Sequence, residues 1–339
     1  MTEPLKKITI IADLFRGSYK EIAEIYYELL KNDYLVKLIE TPRNPSDREK
    51  LSSSNSDIYL HITIGDDFIP ITGGYNIAQP WHEWTLYPTN WIKLLNEFDE
   101  IWTASEYVKN LLLDSQLTRP AYLIPPSLEN EKIPQKTNWE ITNQKNFFFI
   151  GEPHFRKGHH FLINGFLNAF PECNKAKLTI KTSAKCHWNS PREDIILIKE
   201  KWSRKRLLRE YARHDCFISA SLGEGLGLPL AEAIMAGLPV CTNFWGGHKS
   251  IVKSGGFVEI KHEEIIQPFT SNPAFYSEGQ KCAYSSPQEI AKSIKVFINT
   301  SMSERKKMAF AAKKNFLKTY GRENTLKNIH SRILEISKK

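Results

Sequence analysis

The chain has 339 residues, 41% of them hydrophobic and 25% charged, the composition of a globular protein with length for two domains that each bury a core. That balance, with no run of about 18 consecutive apolar residues, excludes disordered, fibrous and ordinary membrane-spanning organisations. The formal charge of +8 is unevenly placed: residues 1–146 carry 15 basic and 21 acidic side chains, net −6, whereas 147–339 carry 31 and 17, net +14.

A basic half suits a polyanionic ligand such as a nucleoside diphosphate, a nucleic acid or an anionic lipid. The acidic half opposes a nucleic acid spanning both, and it also disfavours, without excluding, peripheral membrane contact through the N-terminal face. Five cysteines, without a C-x-x-C pair, suggest neither a disulfide framework nor a zinc site and fit a reducing, cytoplasmic setting. They are expected in or near the core.

The apolar run Ile8–Ala12, bounded by Lys7 and Asp13, is too short for a signal-peptide core and is expected to be the first strand. Phe15-Arg16-Gly17-Ser18 is a glycine-containing turn before a helix over Tyr19–Leu30, where Ile22, Ile25, Tyr26, Leu29 and Leu30 share one face. Strands follow at Leu35–Ile39, Ile58–Ile64, Tyr75–Ala78, Glu100–Ala104 and Ala121–Ile124, with helices over Asn90–Phe98 and Glu106–Leu113. Pro125-Pro126-Ser127 ends this alternation, and the polar stretch Glu129–Lys145 reads as a linker. A second alternation has strands at Phe147–Ile150, Leu178–Lys181, Ile195–Ile198, Cys216–Ala220, Pro239–Cys241 and Gly256–Ile260. The last stretch, Ser303–Lys339, is helical in pattern, with 11 basic against 3 acidic residues. Lys199–Arg213, with seven basic residues and two acids, reads as a solvated helix face.

The expected fold class is therefore α/β, with two parallel-sheet, Rossmann-like domains facing each other across a ligand cleft. The boundaries read from sequence are a first domain over 1–127, a linker over 128–146, a second domain over 147–315, and a C-terminal helix over 316–339 that packs back on the first domain.

Residues 217–243 read FISASLGEGLGLPLAEAIMAGLPVCTN: a buried strand, a glycine-rich turn, a short helix and a second strand. Gly223, Gly225 and Gly227 alternate through the turn, which lets backbone amides approach a ligand closely. Pro229 suits the first helical position and Gly237 the left-handed residue after the helix end. The helix then points its positive end at the turn, an anion site suited to phosphate. Glu224 and Glu232 flank that site. A carboxylate beside a phosphate is repelled, so each acid is better matched to hydroxyls of a sugar ring or a ribose. Together these features suggest a sugar nucleotide.

This segment resembles the E-x7-E signature of retaining glycosyltransferases of family 4, which have the two-domain GT-B fold. The similarity includes the flanking glycines, prolines and alanines. It extends to FIGEPHFRKGHHFLINGF, residues 149–166, where Gly151, Lys157, Gly158, Leu162 and Phe166 match the strand, loop and helix that carry the family's diphosphate-binding basic pair. The arginine usual directly after the first glycine is Glu152 here. Either Arg156 supplies the missing charge or Glu152 points away. Asn243–Val252, with Gly246-Gly247, resembles the loop whose amides approach the donor sugar. Weaker similarities fall at Asp99–Glu106 and Ile124-Pro125-Pro126.

The resemblance implies a hexosyltransferase that moves a sugar from a nucleoside diphosphate, UDP- or GDP-linked, to a hydroxyl of a glycan, glycoconjugate or protein, with retention. In that reading Lys157 and Arg156 neutralise the leaving diphosphate, Glu224 holds the sugar hydroxyls and Glu232 the ribose. Gly151, Gly223, Gly225, Leu226, Gly227 and Leu228 line the donor site. No protein nucleophile, resident cofactor or metal is implied, the leaving phosphate acting as base. In the first domain Gln79–Trp84 follows a strand, and His82 is the nearest match to a family histidine beside the transferred sugar, with Glu83 an alternative polar contact. Of Trp81, Trp84 and Trp91, two are expected in the core. Rival expectations are another GT-B activity, a phosphorylase or an epimerase, and a non-catalytic nucleotide-sugar or glycan binder, the last motivated by Glu152.

Overall fold

The computed structural model describes residues 6–15, 17–52, 56–130, 132–139, 144–268 and 277–338. Residues 1–5, Arg16 of the first predicted turn, and 131 and 140–143 of the predicted linker lie outside the described residues. The chain divides into two compact units. Among described residues one gathers 6–130 with 319–338, the other 132–268 with 278–318.

The first unit runs β1 (Lys7–Ala12), α1 (Gly17–Leu30), β2 (Leu35–Glu40), α2 (Pro45–Ser52), β3 (Ile58–Ile62), β4 (Tyr75–Ala78), α3 (Thr89–Leu95), β5 (Glu100–Thr103), α4 (Glu106–Asp114) and β6 (Ala121–Leu123). All six strands pair in parallel, in the order β2-β1-β3-β4-β5-β6. The apolar face anticipated for α1 is buried, and the Tyr26 hydroxyl at its centre donates to the Ile124 carbonyl at 2.5 Å. Ser105 caps α4 by accepting from the Val108 amide, which satisfies one otherwise orphaned donor. Helix α2 carries no expectation from sequence, because none of its residues is buried and it has no apolar stripe to read.

The second unit runs β7 (Lys145–Ile150), α5 (His159–Ala169), β8 (Ala176–Lys181), β9 (Ile195–Ile198), α6 (Arg204–Arg213), β10 (Cys216–Ser219), α7 (Leu228–Met235), β11 (Val240–Thr242), α8 (Gly246–Val252), β12 (Val258–Glu259), the hairpin β13 (Glu263–Ile266) and β14 (Lys281–Tyr284), then α9 (Pro287–Asn299) and α10 (Met302–Tyr320). Its parallel sheet has the order β12-β11-β10-β7-β8-β9. Both faces of β7 are covered, with Phe147, Phe148 and Phe149 all buried, as a parallel sheet with helices on both sides requires. The antiparallel β13–β14 hairpin was not anticipated: three of the four β13 residues are exposed, so no buried alternation marks it.

Residues 132–139, part of the predicted linker, lie on the second unit, where Lys136 Nζ donates to the His214 carbonyl at 2.7 Å. The basic C-terminal stretch is two helices, α10 and α11 (Arg322–Ile336), parted at Gly321. Helix α11 belongs to the first unit. There Arg332 reaches the buried Glu100 with Nη2 to Oε2 at 2.6 Å and stacks 3.8 Å above the Tyr122 ring. Among the described residues, no helix is long and apolar enough to cross a membrane. The five cysteines are free, four of them buried.

Candidate donor site in the second unit

Read from β9, the second sheet places its strands in the order third, second, first, fourth, fifth, sixth. The direction of winding reverses between β7 and β10. Parallel α/β sheets bind ligands at the carboxyl ends of the strands flanking such a reversal, and both segments singled out in the sequence start there. The loop 151–158 leaves β7 and the glycine turn 220–227 leaves β10.

Arg156 and Lys157 sit on a 3₁₀ turn, Phe155–Lys157, that ends at Gly158. Gly158 has φ +65°, and a Cβ on it would stand 2.4 Å from the Ala220 carbonyl oxygen. Only glycine therefore lets the two loops approach this closely. Across that approach the Arg156 main-chain carbonyl accepts from the Leu222 amide at 2.7 Å, and Arg156 Nη1 donates to the Gly223 carbonyl at 2.7 Å.

Glu224 lies at the centre. Lys157 Nζ is 2.5 Å from its Oε1 and Arg156 Nη1 3.1 Å from its Oε2. All three side chains are largely buried, with 11–17% of their surface exposed. Burial raises the Glu224 pKa, but the Lys157 and Arg156 charges outweigh it and hold the carboxyl well below its usual range. Two cations against one carboxylate leave a positive excess at the carboxyl ends of the strands. The same cations, added to burial, push His154 down to about 3. His248 on α8 is held at about 4 by burial despite the nearby Glu224 charge, with Nδ1 2.8 Å from Thr242 Oγ1. Both histidines are neutral at pH 7.

Of the three turn glycines, the left-handed conformation falls at Gly227, φ +95°, where a Cβ would also meet the His248 ring at 2.5 Å. The close approach falls at Gly247 of α8, where a Cβ would lie 2.5 Å from the Gly225 carbonyl carbon, and the Gly247 amide donates to the Glu224 carbonyl. Leu226 is buried beside them and Leu228 opens α7, so Pro229 takes the second helical position rather than the first. Gly237, φ +71°, follows the helix end as expected. The positive end of α7 thus points into the turn.

Glu232, one turn into α7, is 1% exposed. Tyr211 donates its hydroxyl to Oε2 at 2.6 Å, and Arg204 Nη2 lies 2.5 Å from Oε1. Both partners come from α6, whose basic run reads in the sequence only as a solvated face. The carboxylate eight residues away was visible in the pattern; its ion pair, across 28 residues, was not.

Gly151 accepts from His159 Nε2 at 3.2 Å, and a Cβ on it would press on the Lys157 stem at 3.0 Å. Glu152 is exposed and accepts from Ser183 Oγ at 2.6 Å, while Arg156 joins the Glu224 cluster. His82 belongs to the first unit. Its ring is fully buried, Nε2 donates to the Leu86 carbonyl at 2.7 Å, and Tyr87 and Trp91 pack against it. This is the geometry of a packed structural histidine, which departs from the sequence expectation of a ligand contact. Trp84 and Trp91 are buried and Trp81 half-buried.

Residues 144–275, less than half of the chain, match the family model for glycosyl transferases group 1, so the second unit carries a glycosyltransferase domain. No curated protein matches the chain. Among solved structures, a glycosyltransferase from Rickettsia africae is 14% identical, with 99% of each chain covered and a TM-score of 0.69. Sucrose-phosphate synthase from Thermosynechococcus elongatus is 11% identical, covering 98% of this chain and 99% of that one, also at 0.69. S. aureus TarM in complex with fondaparinux, α-GlcNAc-glycerol and UDP is 14% identical, covering 84% of this chain and 57% of that one, at 0.62. These likenesses show that the chain has the GT-B fold.

Proposed function

We propose that the protein is a retaining family 4 glycosyltransferase that moves a hexose-type sugar from UDP or GDP to a hydroxyl of a glycan or glycoconjugate. The observation that carries this reading is the Arg156–Glu224–Lys157 cluster at the reversal of the second sheet, with Glu232 one helical turn beyond it. Without ligand, Glu224 occupies the two cations. A donor diphosphate competes for them with more negative charge, so Lys157 and Arg156 exchange the carboxylate for phosphate oxygens. Glu224 is then released toward the sugar hydroxyls. As the glycosidic bond breaks, charge grows on the leaving phosphate, where the two cations and the amides at the start of α7 already stand. Glu232 takes the ribose hydroxyls. The first unit takes the acceptor, without a chemical role for the buried His82, and the protein works in the cytoplasm. The TarM structure with UDP supports UDP as the first base to try.

Thermal unfolding with UDP, GDP, ADP, CDP or dTDP tests the site. At about 100 times its dissociation constant a bound nucleotide stabilises by about 2.7 kcal/mol, a shift of several degrees. The expected result is a shift with UDP or GDP that Glu232→Ala abolishes. If no nucleotide moves the wild-type transition, the reading fails.

A further inference from the structure

We infer that the outward face of α10 is a docking surface for an anionic lipid bilayer, drawn to it by lysine charge and anchored by Phe310. The inference does not rest on the donor site. Helix α10 packs on Gly256, where a Cβ would stand 2.7 Å from the Met308 carbonyl oxygen, just before the edge strand β12. The Arg156–Glu224–Lys157 cluster stands instead at β7 and β10.

The sequence of α10, MSERKKMAFAAKKNFLKTY, holds six basic residues and one acid. Its inward side is Arg305, Ala309, Ala312, Phe316 and Tyr320, each 1–5% exposed, at the three- and four-residue steps of one helical stripe. Arg305 is turned into that side, where Nε donates to the Phe297 carbonyl at 3.0 Å and Nη2 to the Ile298 carbonyl at 2.7 Å. The positive charges of the outward side are therefore all lysines. Lys307, Lys314 and Lys318 are exposed, and the half-buried Lys306 and Lys313 border them. The one acid, Glu304, stays at the helix start, where it accepts from the Ser301 amide at 3.1 Å and hydroxyl at 2.8 Å. Phe310 sits among the lysines with 61% of its surface exposed. Trp139 lies beside it, ring centres 6.3 Å apart, and Lys306 Nζ stands 5.7 Å over the indole.

A single exposed ring is ordinary on a protein surface. An aromatic pair among five lysines along one helix face is the composition of a segment that lies at a membrane surface. Two effects then act together. Each lysine near an anionic leaflet adds about fivefold in affinity, and Phe310 enters the boundary between headgroups and acyl chains, where aromatic rings are favoured. Lysine suits this role because its long apolar stem lies along the boundary while the ammonium stays among the headgroups. Directed recognition of single phosphates uses the arginine fork, and the one arginine of α10 is turned inward. The 19 residues of α10 span about 28 Å, so its charges are spread along a line that meets a flat surface rather than converging on a pocket.

The test is co-sedimentation of the full chain with vesicles of phosphatidylcholine, alone or mixed with phosphatidylserine, at about 0.1 M and about 1 M salt. Three variants accompany the wild type: the triple change Lys307→Ala, Lys314→Ala and Lys318→Ala; Phe310→Ser; and a control, Lys205→Ala, Arg209→Ala and Arg213→Ala, on the exposed basic face of α6, which carries no exposed ring. All seven changes fall on exposed side chains, and melting curves show that each variant is folded. Wild type should bind the mixed vesicles at low salt, lose most of that binding at high salt and leave neutral vesicles alone. The α10 lysine variant should bind about 10²-fold more weakly and Phe310→Ser about tenfold more weakly, with the α6 control within about twofold of wild type. A wild type that leaves the mixed vesicles unbound overturns the inference. So does an α6 control that loses as much as the α10 lysine variant, since net charge rather than this face then drives binding. Full vesicle binding by Phe310→Ser, with lysine-dependent retention on heparin or duplex DNA, overturns it in favour of a soluble polyanion.

Discussion

Lys157→Ala is expected to reduce turnover of sugar transfer by about 10²–10³-fold, the usual cost of removing one preorganised donor from developing negative charge. Lys157 is the shorter-range partner of Glu224, at 2.5 Å against 3.1 Å for Arg156, and its stem runs close over Gly151, where a Cβ would stand 3.0 Å from its Cγ. It is therefore held in place before a donor arrives. That is what makes its charge effective, since no reorganisation is needed as the diphosphate leaves. The loss should fall mainly on kcat, with a smaller change in donor KM, because the interaction strengthens as charge grows on the leaving group. Lys157→Arg should recover part of the rate. Steady-state release of nucleoside diphosphate checks this, alongside melting curves that show the variant folded. A folded Lys157→Ala enzyme within about threefold of wild type would remove the lysine from the leaving-group site.

Arg332→Ala should cost the first unit about 3–5 kcal/mol, the loss expected when one partner of a buried ion pair is deleted. Glu100 is fully buried and accepts from Trp102 Nε1 at 2.7 Å and from the Tyr75 hydroxyl at 3.1 Å as well as from Arg332. Removing the guanidinium leaves a carboxylate with two neutral donors and no counter-charge, and also uncovers the Tyr122 face. Since the ion pair joins α11 to β5 across 232 positions of sequence, the C-terminal helix should detach first. The readouts are the urea midpoint and amide exchange in 322–336. The double change Arg332→Met with Glu100→Gln should recover much of the loss, because the penalty comes from the stranded charge. An Arg332→Ala chain with an unchanged midpoint would contradict the account.

The parallel α/β plan was legible because buried strands such as Phe147–Ile150 and Cys216–Ala220 are short apolar runs, and α1 presents a clean apolar face. Glu224 and Glu232 stood out for a different reason: glycine turns, an N-terminal proline and paired acids fall together in one segment, whereas Lys157 was singled out only by the resemblance of 149–166 to the family. What escaped depends on contacts distant in sequence or on surfaces with no burial. Helix α2 and strand β13 bury too little to leave a periodic trace. Arg204 looked like one basic residue among seven until α6 and α7 were placed side by side. His248, close against Gly227, follows a strand and two glycines that said nothing of its ring. His82 shows the converse: its position after a strand suggested a ligand contact, and only the fold reveals Leu86, Tyr87 and Trp91 enclosing it.

The most direct measurement of sugar transfer with retention is proton NMR of the anomeric signal while the full chain turns over UDP-glucose, UDP-GlcNAc or GDP-mannose, with glycan hydroxyls or water as acceptor. The account predicts that one of these α-linked donors is consumed and that the new sugar appears first as the α-anomer. A β-anomer appearing first, or intact donors throughout, would contradict it.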